Sequence, residues 1–242
     1  MKVSLLITYF NRKSQFIKTM ESIMLSKINR DNLETIIIDD GSDDNERIED
    51  VLDNFSNLNL KFHRYSKEEK TWGSRTQVVP LNKGIDMATN EFILINGAEM
   101  FHCGDVLLDF SKRIKKNKYI TYATLSLTKE QTEKLSFDEL LKTTNGHMWY
   151  QHSLHSNRKF PFCAGMSKED FIKIGRFAEE FQNAEGYADQ YFIDSLNHYG
   201  IDIESVDSPY TLHLWHNRIR LNITKNRNTI YNNLKNTLKH KT

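Results

Sequence analysis

The sequence is poor in cysteine and has no long hydrophobic run, and each absence argues against a class of protein. Only Cys103 and Cys163 occur in 242 residues, too few for a disulfide framework, so we expect reduced thiols in a cytosolic protein. No apolar run approaches the roughly 20 residues of a membrane-spanning helix. The apolar run near the N-terminus is too short for a signal peptide and stops at polar residues, so it predicts a first strand. We therefore expect a cytoplasmic location.

An excess of one charge is also absent. The chain has 33 Lys and Arg against 32 Asp and Glu, a formal net charge of +1, so no overall field attracts nucleic acid. Repeats, low-complexity tracts and linkers are absent too. Hydrophobic residues make up 38% and aromatic residues 11% of the chain, which predicts a packed core rather than disorder. We expect one domain over residues 1–242.

Residues 35–44 join a strongly apolar segment to a cluster of acids. Ile36, Ile37 and Ile38 are β-branched and apolar on both faces, which favours a strand buried inside a parallel sheet. Asp39 and Asp40 would then stand at the carboxyl end of this strand, where open α/β sheets bind ligands. A solvated Asp-Gly turn is the alternative interpretation.

Strands and helices alternate along the chain, which predicts an α/β fold with a mostly parallel, Rossmann-like sheet flanked by helices. Strands are predicted at residues 3–8, 35–42, 58–65, 91–95, 119–125, 162–166 and 201–206, and helices at 14–25, 48–55, 78–88, 105–116, 167–174 and 188–199. Residues 127–144 are predicted to be mainly helical. Segment 145–160, rich in His and aromatic residues, is predicted to be a mobile loop beside a site, with an ordinary surface loop as the alternative.

Five motifs occur in an order that resembles a family-2 glycosyltransferase of the GT-A fold, over residues 1–217. They are the opening strand and loop Ser4–Arg12, the turn Ile38–Ser42, the region of Arg75 and Asn82, the strand end Phe92–Glu99 at the place of the D-x-D motif, and Glu185–Asp189 ahead of a helix. The resemblance implies a nucleotide-sugar-binding half at residues 1–104 and an acceptor-side half at 105–220, and the composition of residues 221–242 predicts a basic helical tail after them. It also implies transfer of a sugar, hexose or N-acetylhexosamine, to a hydroxyl of a glycan or other acceptor, as in polysaccharide biosynthesis.

The resemblance implies a nucleotide site at the first three strand ends. Asp40 resembles the acid that accepts a hydrogen bond from N3–H of uracil, a donor that cytosine lacks, so a UDP-sugar is expected. Six further residues are expected around the nucleotide: Thr8 and Phe10 beside the base, Asn11 and Arg12 in the same loop, Arg75 near the diphosphate, and Asn96 in place of the missing first Asp of D-x-D.

A metal site is implied at the second acidic strand end. Glu99 takes the place of the second Asp of D-x-D and is a hard oxygen ligand that suits Mn²⁺ or Mg²⁺. Related transferases often supply a His from the C-terminal region, here His213 or His216. In an extended segment residues three apart point to opposite faces, so we expect one of them to bind metal unless the segment turns, and we favour His216.

By resemblance, Asp189 is the candidate catalytic base of an inverting transfer, in which a carboxylate removes the proton of the acceptor hydroxyl. A simple helix-stabilising acid is the alternative for this position. Glu185, Gly165 and Trp149 are candidates for contact with the donor sugar or the acceptor.

The tail is rich in Lys and Arg, and Ile230, Leu234 and Leu238 recur four residues apart. This pattern predicts a helix docked on the domain by its apolar stripe, with weak contact to an anionic membrane face as the alternative. For the whole protein, the alternatives to a transferase are a catalytically silent nucleotide-sugar-binding protein and a nucleotidyltransferase. The second is disfavoured because residues 8–13 contain no Gly.

Overall fold

The structure is a computed structural model, and it describes residues 1–73, 77–217 and 226–239. Strands in the described part are β1 (Val3–Tyr9), β2 (Leu33–Asp39), β3 (Leu60–Arg64), β4 (Phe92–Gly97), β5 (Met100–Cys103), β6 (Lys118–Ser126), β7 (Met148–Gln151), β8 (Cys163–Ser167) and β9 (Asp202–His213). Helices are α1 (Lys13–Met24), α2 (Glu49–Leu52), α3 (Val78–Met87), α4 (Val106–Arg113), α5 (Lys129–Lys134), α6 (Phe137–Lys142), α7 (Lys168–Lys173), α8 (Ala188–His198) and α9 (Arg227–Lys239). None of these helices is long and apolar enough to cross a membrane.

The strands form one sheet with the order β3-β2-β1-β4-β8-β6-β9-β5, and β7 pairs with β6 outside this order. The first four strands are mutually parallel, so the carboxyl ends of β1, β2 and β4 meet at one edge. β8 runs antiparallel to β4 and β6 and joins the predicted nucleotide half to the acceptor-side half. The edge formed by β1, β2 and β4 is where the predicted site residues begin.

Both faces of the parallel strands are covered, which explains their continuous apolar sequences. Leu5, Ile7 and Ile37 belong to a core on one face, whereas Leu6 and Ile36 belong to a core on the other. The alternation follows from the two-residue period of a strand. Because every residue of β1 and β2 is buried, these strands form a rigid base for the loops that follow them.

The acceptor-side half differs from the sequence prediction in three segments. The predicted mobile loop 145–160 contains β7, whose residues pair with the end of β6. The predicted helical region 127–144 is two short helices, because Thr128 and Ser136 each begin a helix with a capping box. β9 also continues to His213, well beyond the predicted end at residue 206.

The tail forms the predicted helix, α9, which packs against α8. Leu238 is buried, and Ile230 and Leu234 are partly buried, so the apolar stripe faces the domain. Residues 218–225, with Arg218, Arg220 and Lys225, lie outside the described residues, as does Arg75.

Candidate active site

A cleft of about 240 Å³ opens at the carboxyl edge of the parallel strands. Four of the residues that line this cleft come from different elements: Thr8 lies near the end of β1, Gly97 ends β4, Glu99 lies just after β4, and Asp189 lies at the start of α8. Residues from the predicted nucleotide, metal and catalytic groups, far apart in the sequence, therefore share one cavity.

Glu99 lies where three positively charged or basic side chains converge. Its Oε2 is 2.6 Å from Arg12 Nη1, and its Oε1 is 3.5 Å from His213 Nε2 and 3.7 Å from His216 Nε2. One ligand atom from Glu99 and one from each histidine lie within 4.8 Å of one another. A carboxylate with two imidazoles is a donor set that fits a divalent metal ion such as Mn²⁺.

Both histidines, and not His216 alone, lie close to the Glu99 carboxylate, which is the case that the sequence prediction reserved for a segment that turns. His213 is the last residue of β9, so His216 lies beyond the strand, where the opposite-face rule no longer applies. The Leu214 N–H donates to the Glu99 carbonyl oxygen over 3.0 Å, which fixes the segment against the strand end. His213 and His216 consequently point at the same carboxylate, with ring centroids 5.3 Å apart.

The charges in this cluster favour the protonation states that bind metals. Burial disfavours the ionised form of Glu99, but Arg12 and the two histidines outweigh it and lower the pKa of Glu99 to about 2. Burial lowers the pKa of His213 to about 4, so its ring is neutral at pH 7. Arg12 Nη1 also lies 3.4 Å from His216 Nε2, so its guanidinium contacts both the carboxylate and one of the two imidazoles.

Asp189 lies in the first turn of α8, on the wall of the same cleft. Its side chain is exposed to the solvent of the cleft, yet protein surrounds the cleft on several sides. This enclosure disfavours the charged form and raises the pKa of Asp189 to about 6. A carboxylate with this pKa is ionised at neutral pH and is a better proton acceptor than an ordinary aspartate.

Asp40 is buried, and two donors from segment 66–73 contact its carboxylate. Trp72 Nε1 donates to Oδ1 over 2.8 Å, and Lys70 Nζ lies 2.9 Å from Oδ2. Burial raises the pKa of Asp40 to about 6, although Lys70 and Trp72 act in the opposite direction. Lys70 Nζ also lies 4.2 Å from the ring centroid of Phe10. Two of the three residues predicted at the base, Asp40 and Phe10, are therefore contacted by this segment.

Two other predicted nucleotide residues, in addition to Arg12, lie at the carboxyl end of β1. The Thr8 hydroxyl faces the cleft and donates to Gln77 Oε1 over 2.6 Å. Asn11 adopts a left-handed backbone conformation, and its side chain bonds both the backbone N–H and the carboxylate of Asp43. Asn11 thus fixes the turn after β2.

Asn96 and Gly165 do not have the positions that the sequence predicts. The Asn96 side chain is fully buried, donates to the carbonyl oxygens of Gly97 and Met100, and contacts the His102 ring over 3.0 Å. It faces the core, because strand residues alternate between faces. A Cβ on Gly165 would lie 2.1 Å from the Ile93 carbonyl oxygen, so this glycine permits close pairing of β8 with β4 and is buried away from the cleft.

Trp149 and Glu185 lie outside the lining of the 240 Å³ cleft. Trp149 stacks on His155 and packs against Tyr210, whereas its neighbour Tyr150 faces a larger cavity of about 590 Å³ next to His213. The Glu185 carbonyl oxygen accepts a hydrogen bond from Arg227.

Sequence reasoning missed Gln77, Lys70 and the role of Trp72. Polar residues in an irregular loop carry no periodicity, and the only available signal was an aromatic residue in an otherwise polar segment.

The sequence and the fold were compared with known proteins. The family model described as "Glycosyl transferase family 2" matches residues 4–175. A curated relative, the uncharacterized glycosyltransferase MG060 of Mycoplasma genitalium, is 27% identical over 195 residues, which are 76% of this chain and 61% of that protein.

Solved structures share the architecture at low sequence identity. S. aureus TarS 1–349 in complex with UDP-GlcNAc has a TM-score of 0.66 and 16% identity, covering 90% of this chain and 60% of that one. The mannosyltransferase PcManGT from Pyrobaculum calidifontis, in complex with GDP-Man and Mn²⁺, has a TM-score of 0.61 and 14% identity, covering 90% and 58%. The chain thus spans 58–61% of the length of each of these three relatives. The superpositions bear on the fold alone, and they confirm the predicted fold class.

Proposed function

The chain belongs to glycosyl transferase family 2, as its five motifs predicted, and from this premise we propose that it is an inverting, metal-dependent glycosyltransferase that uses a UDP-sugar. The observation that carries the proposal is the shared cleft, which Glu99 and Asp189 both line, with His213 and His216 close to the Glu99 carboxylate. A metal site for the leaving group and a base for the acceptor are the two parts that such a transfer needs.

The choice of UDP rests on Asp40. A carboxylate accepts from N3–H of uracil, and the unprotonated N3 of cytosine offers it no donor. The UDP-GlcNAc complex of TarS supports the same class of donor, whereas PcManGT was solved with GDP-Man. Because Lys70 and Trp72 contact Asp40, the base has to displace or share these donors when it binds. We expect Asp40→Ala to weaken UDP binding, which calorimetry would measure.

Glu99, His213 and His216 would hold the metal ion, Mn²⁺ or Mg²⁺. When bound, a divalent ion compensates the negative charge of the departing diphosphate. The chain's own contribution is to keep Glu99 ionised and His213 neutral through burial and the Arg12 contact. Arg12 is placed to pair with either the carboxylate or a phosphate oxygen.

Asp189 is proposed as the base that removes the proton of the acceptor hydroxyl as that oxygen attacks the anomeric carbon. Its position in the cleft that Glu99 also lines and its raised pKa support this role. The acceptor is proposed to be a glycan or another hydroxyl compound. The larger cavity beside His213, lined by Tyr150 and Trp215, is the space available to it.

A catalytically silent nucleotide-sugar-binding protein is the second candidate. It is favoured by the missing first acid of D-x-D and by the ion pair that Arg12 makes with Glu99. The test is hydrolysis of UDP-GlcNAc, UDP-glucose and UDP-galactose with Mn²⁺ and with EDTA, combined with calorimetry of UDP binding. Mn²⁺-dependent turnover supports the transferase; UDP binding without turnover of any donor supports the silent protein.

We propose a cytoplasmic location, supported by two buried free thiols, Cys103 and Cys163. For the tail, Arg227 and Lys235 contact residues of the segment 185–194, which favours the docked helix. Contact with an anionic membrane face stays a prediction.

A further inference from the structure

We propose that helix α9 positions the catalytic base: Arg227 and Tyr231 hold the turn at residues 185–187, from which the first turn of α8 and Asp189 follow. This inference rests on the proposed role of Asp189. Arg227 and Tyr231 are positioning residues, because neither of them lines the cleft.

The turn before α8 has an unfavourable backbone conformation. Gly186 and Tyr187 both adopt positive φ angles, +83° and +64°. Glycine accepts this conformation freely, but for a bulky residue such as Tyr187 it is a genuine outlier. Conformations of this kind persist only where the surrounding contacts determine them, and they concentrate at functional sites.

The contacts that determine the turn come from α9. The Tyr231 ring stacks on the Tyr187 ring with centroids 4.9 Å apart and planes 25° apart. The Arg227 guanidinium lies 5.4 Å from the Tyr187 ring centroid, and its Nη1 donates to the Glu185 carbonyl oxygen over 3.2 Å. A Cβ on Gly186 would lie 3.2 Å from Arg227 Nη1, so Arg227 lies against all three residues of the turn.

The helix α9 is itself anchored farther along α8. The Tyr231 hydroxyl donates to Asp194 Oδ2 over 2.5 Å, and Lys235 Nζ lies 3.2 Å from the same oxygen. Tyr231 therefore links the middle of α8 to the turn at its beginning. The Tyr191 N–H donates to the Tyr187 carbonyl oxygen over 2.8 Å, so a change of the turn is transmitted to the first turn of α8.

Asp189 lies two residues after Tyr187, so its carboxylate depends on the geometry of this turn. A displacement of about 1 Å in a reacting group can reduce turnover by ~10²-fold. Loss of the stacking contact should thus reduce kcat. The binding of UDP and Mn²⁺ should not change, because it depends on residues at the ends of β1, β2, β4 and β9.

The test compares Tyr231→Ala with Tyr231→Phe, which keeps the stacking ring and loses the bond to Asp194. Asn236→Ala, at an exposed position of α9, is the matched control. We expect Tyr231→Ala to lower kcat for hydrolysis of the best UDP-sugar by about 10-fold or more, with unchanged UDP affinity. Tyr231→Phe and Asn236→Ala should retain most of the activity. Hydrogen exchange of the amides of residues 186–191 should accelerate in Tyr231→Ala and not in Tyr231→Phe.

Tyr231→Ala with kcat within twofold of wild type, or with kcat and UDP affinity lost together, would overturn the inference. If the wild-type protein turns over no donor, the proposed function fails. Hydrogen exchange then still decides the structural part, because equal exchange of residues 186–191 in all variants means that α9 does not hold the turn.

Discussion

Three carboxylates near the carboxyl edge of the sheet have different electrostatic surroundings. Arg12 and two histidines surround Glu99, and its pKa falls to about 2. Asp189 lies on the wall of the cleft, where desolvation raises its pKa to about 6, and within the described part of the chain no neighbouring charge opposes this shift. Burial raises the pKa of Asp40 and its partner Lys70 lowers it, and burial is the larger effect. Neighbouring charges thus separate a metal-binding acid from a proton acceptor.

We predict that Glu99→Ala abolishes Mn²⁺-dependent turnover of a UDP-sugar without unfolding the protein. The substitution removes the only carboxylate of the Glu99, His213 and His216 group, and two imidazoles alone hold Mn²⁺ poorly. Turnover is measured with and without Mn²⁺, and circular dichroism checks the fold. Asp31→Ala, an exposed acid just before β2 at the opposite edge of the sheet, is the control. Full activity of Glu99→Ala would disprove the metal assignment.

For Asp189→Asn we predict retained UDP and Mn²⁺ binding and a loss of turnover of ~10²–10⁴-fold, since the amide keeps the size and removes the basicity. The wild-type rate should rise with pH as Asp189 ionises near its pKa of about 6. Measured turnover within a few-fold of wild type would mean that the base lies elsewhere, with Glu185 the next candidate.

The same substitution should change stability in a pH-dependent way. The folded pKa of Asp189, about 6, lies above the ordinary aspartate value of 3.8, so the unfolded state loses the proton first. The contribution of Asp189 to the free energy of unfolding of the wild-type protein therefore falls as the pH rises from about 4 to about 6, and it is constant above that range. We expect the Tm of Asp189→Asn to exceed that of wild type by more at pH 7 than at pH 4, measured by calorimetry. An equal difference at both pH values would show that the surroundings do not disfavour the charged form.

At the scale of elements, segment 66–73 covers the predicted base site. Lys70 contacts both the Asp40 carboxylate and the Phe10 ring, two of the three groups expected at the uracil base. We predict that Lys70→Ala increases the affinity for UDP several-fold, because the base no longer has to displace the ammonium group. Isothermal calorimetry measures the Kd, with Lys67→Ala, an exposed lysine of the same segment, as the control. Weaker binding by Lys70→Ala would mean that this lysine contacts the nucleotide.

Elements with strong periodic patterns could be predicted from the sequence, whereas short or context-dependent ones could not. The Ile36–Ile38 run and the apolar β1 identify buried parallel strands, because both of their faces are covered. β5 and β7, of four residues each, are too short to show a period and exist because neighbouring strands pair with them. Propensity decides little in such segments.

The residue types of the site could be predicted from the sequence, but the directions in which the side chains point could be predicted less well. Glu99 and Asp189 were recognised from motif order, and both line the cleft. The orientation of Asn96 toward His102 and the convergence of both histidines on Glu99 depend on where strands end and turn. Those tertiary details leave no periodic signal in the sequence.

At the scale of the whole molecule, the site depends on both halves of the chain. Glu99 follows β4 in the nucleotide half. His213, His216 and Asp189 belong to the acceptor-side half, with Asp189 at the start of α8. The tail continues this arrangement, because α9 contacts α8 and the turn before it. The tail thus belongs to the same packed unit as the proposed base.

The last prediction distinguishes a packed tail from a membrane-binding one. In the described tail, Leu238 is buried, Lys235 pairs with Asp194, and Arg227 contacts the Tyr187 ring, so the apolar stripe and two of the charges are already engaged by the domain. We therefore expect a chain ending at residue 221 to unfold at a lower temperature than the full chain. We also expect both chains to sediment equally with anionic and with neutral vesicles. Each basic residue near an anionic membrane contributes about 1 kcal/mol, so genuine membrane contact would instead give greater sedimentation of the full chain with anionic vesicles, lost at high salt because ions screen such contacts.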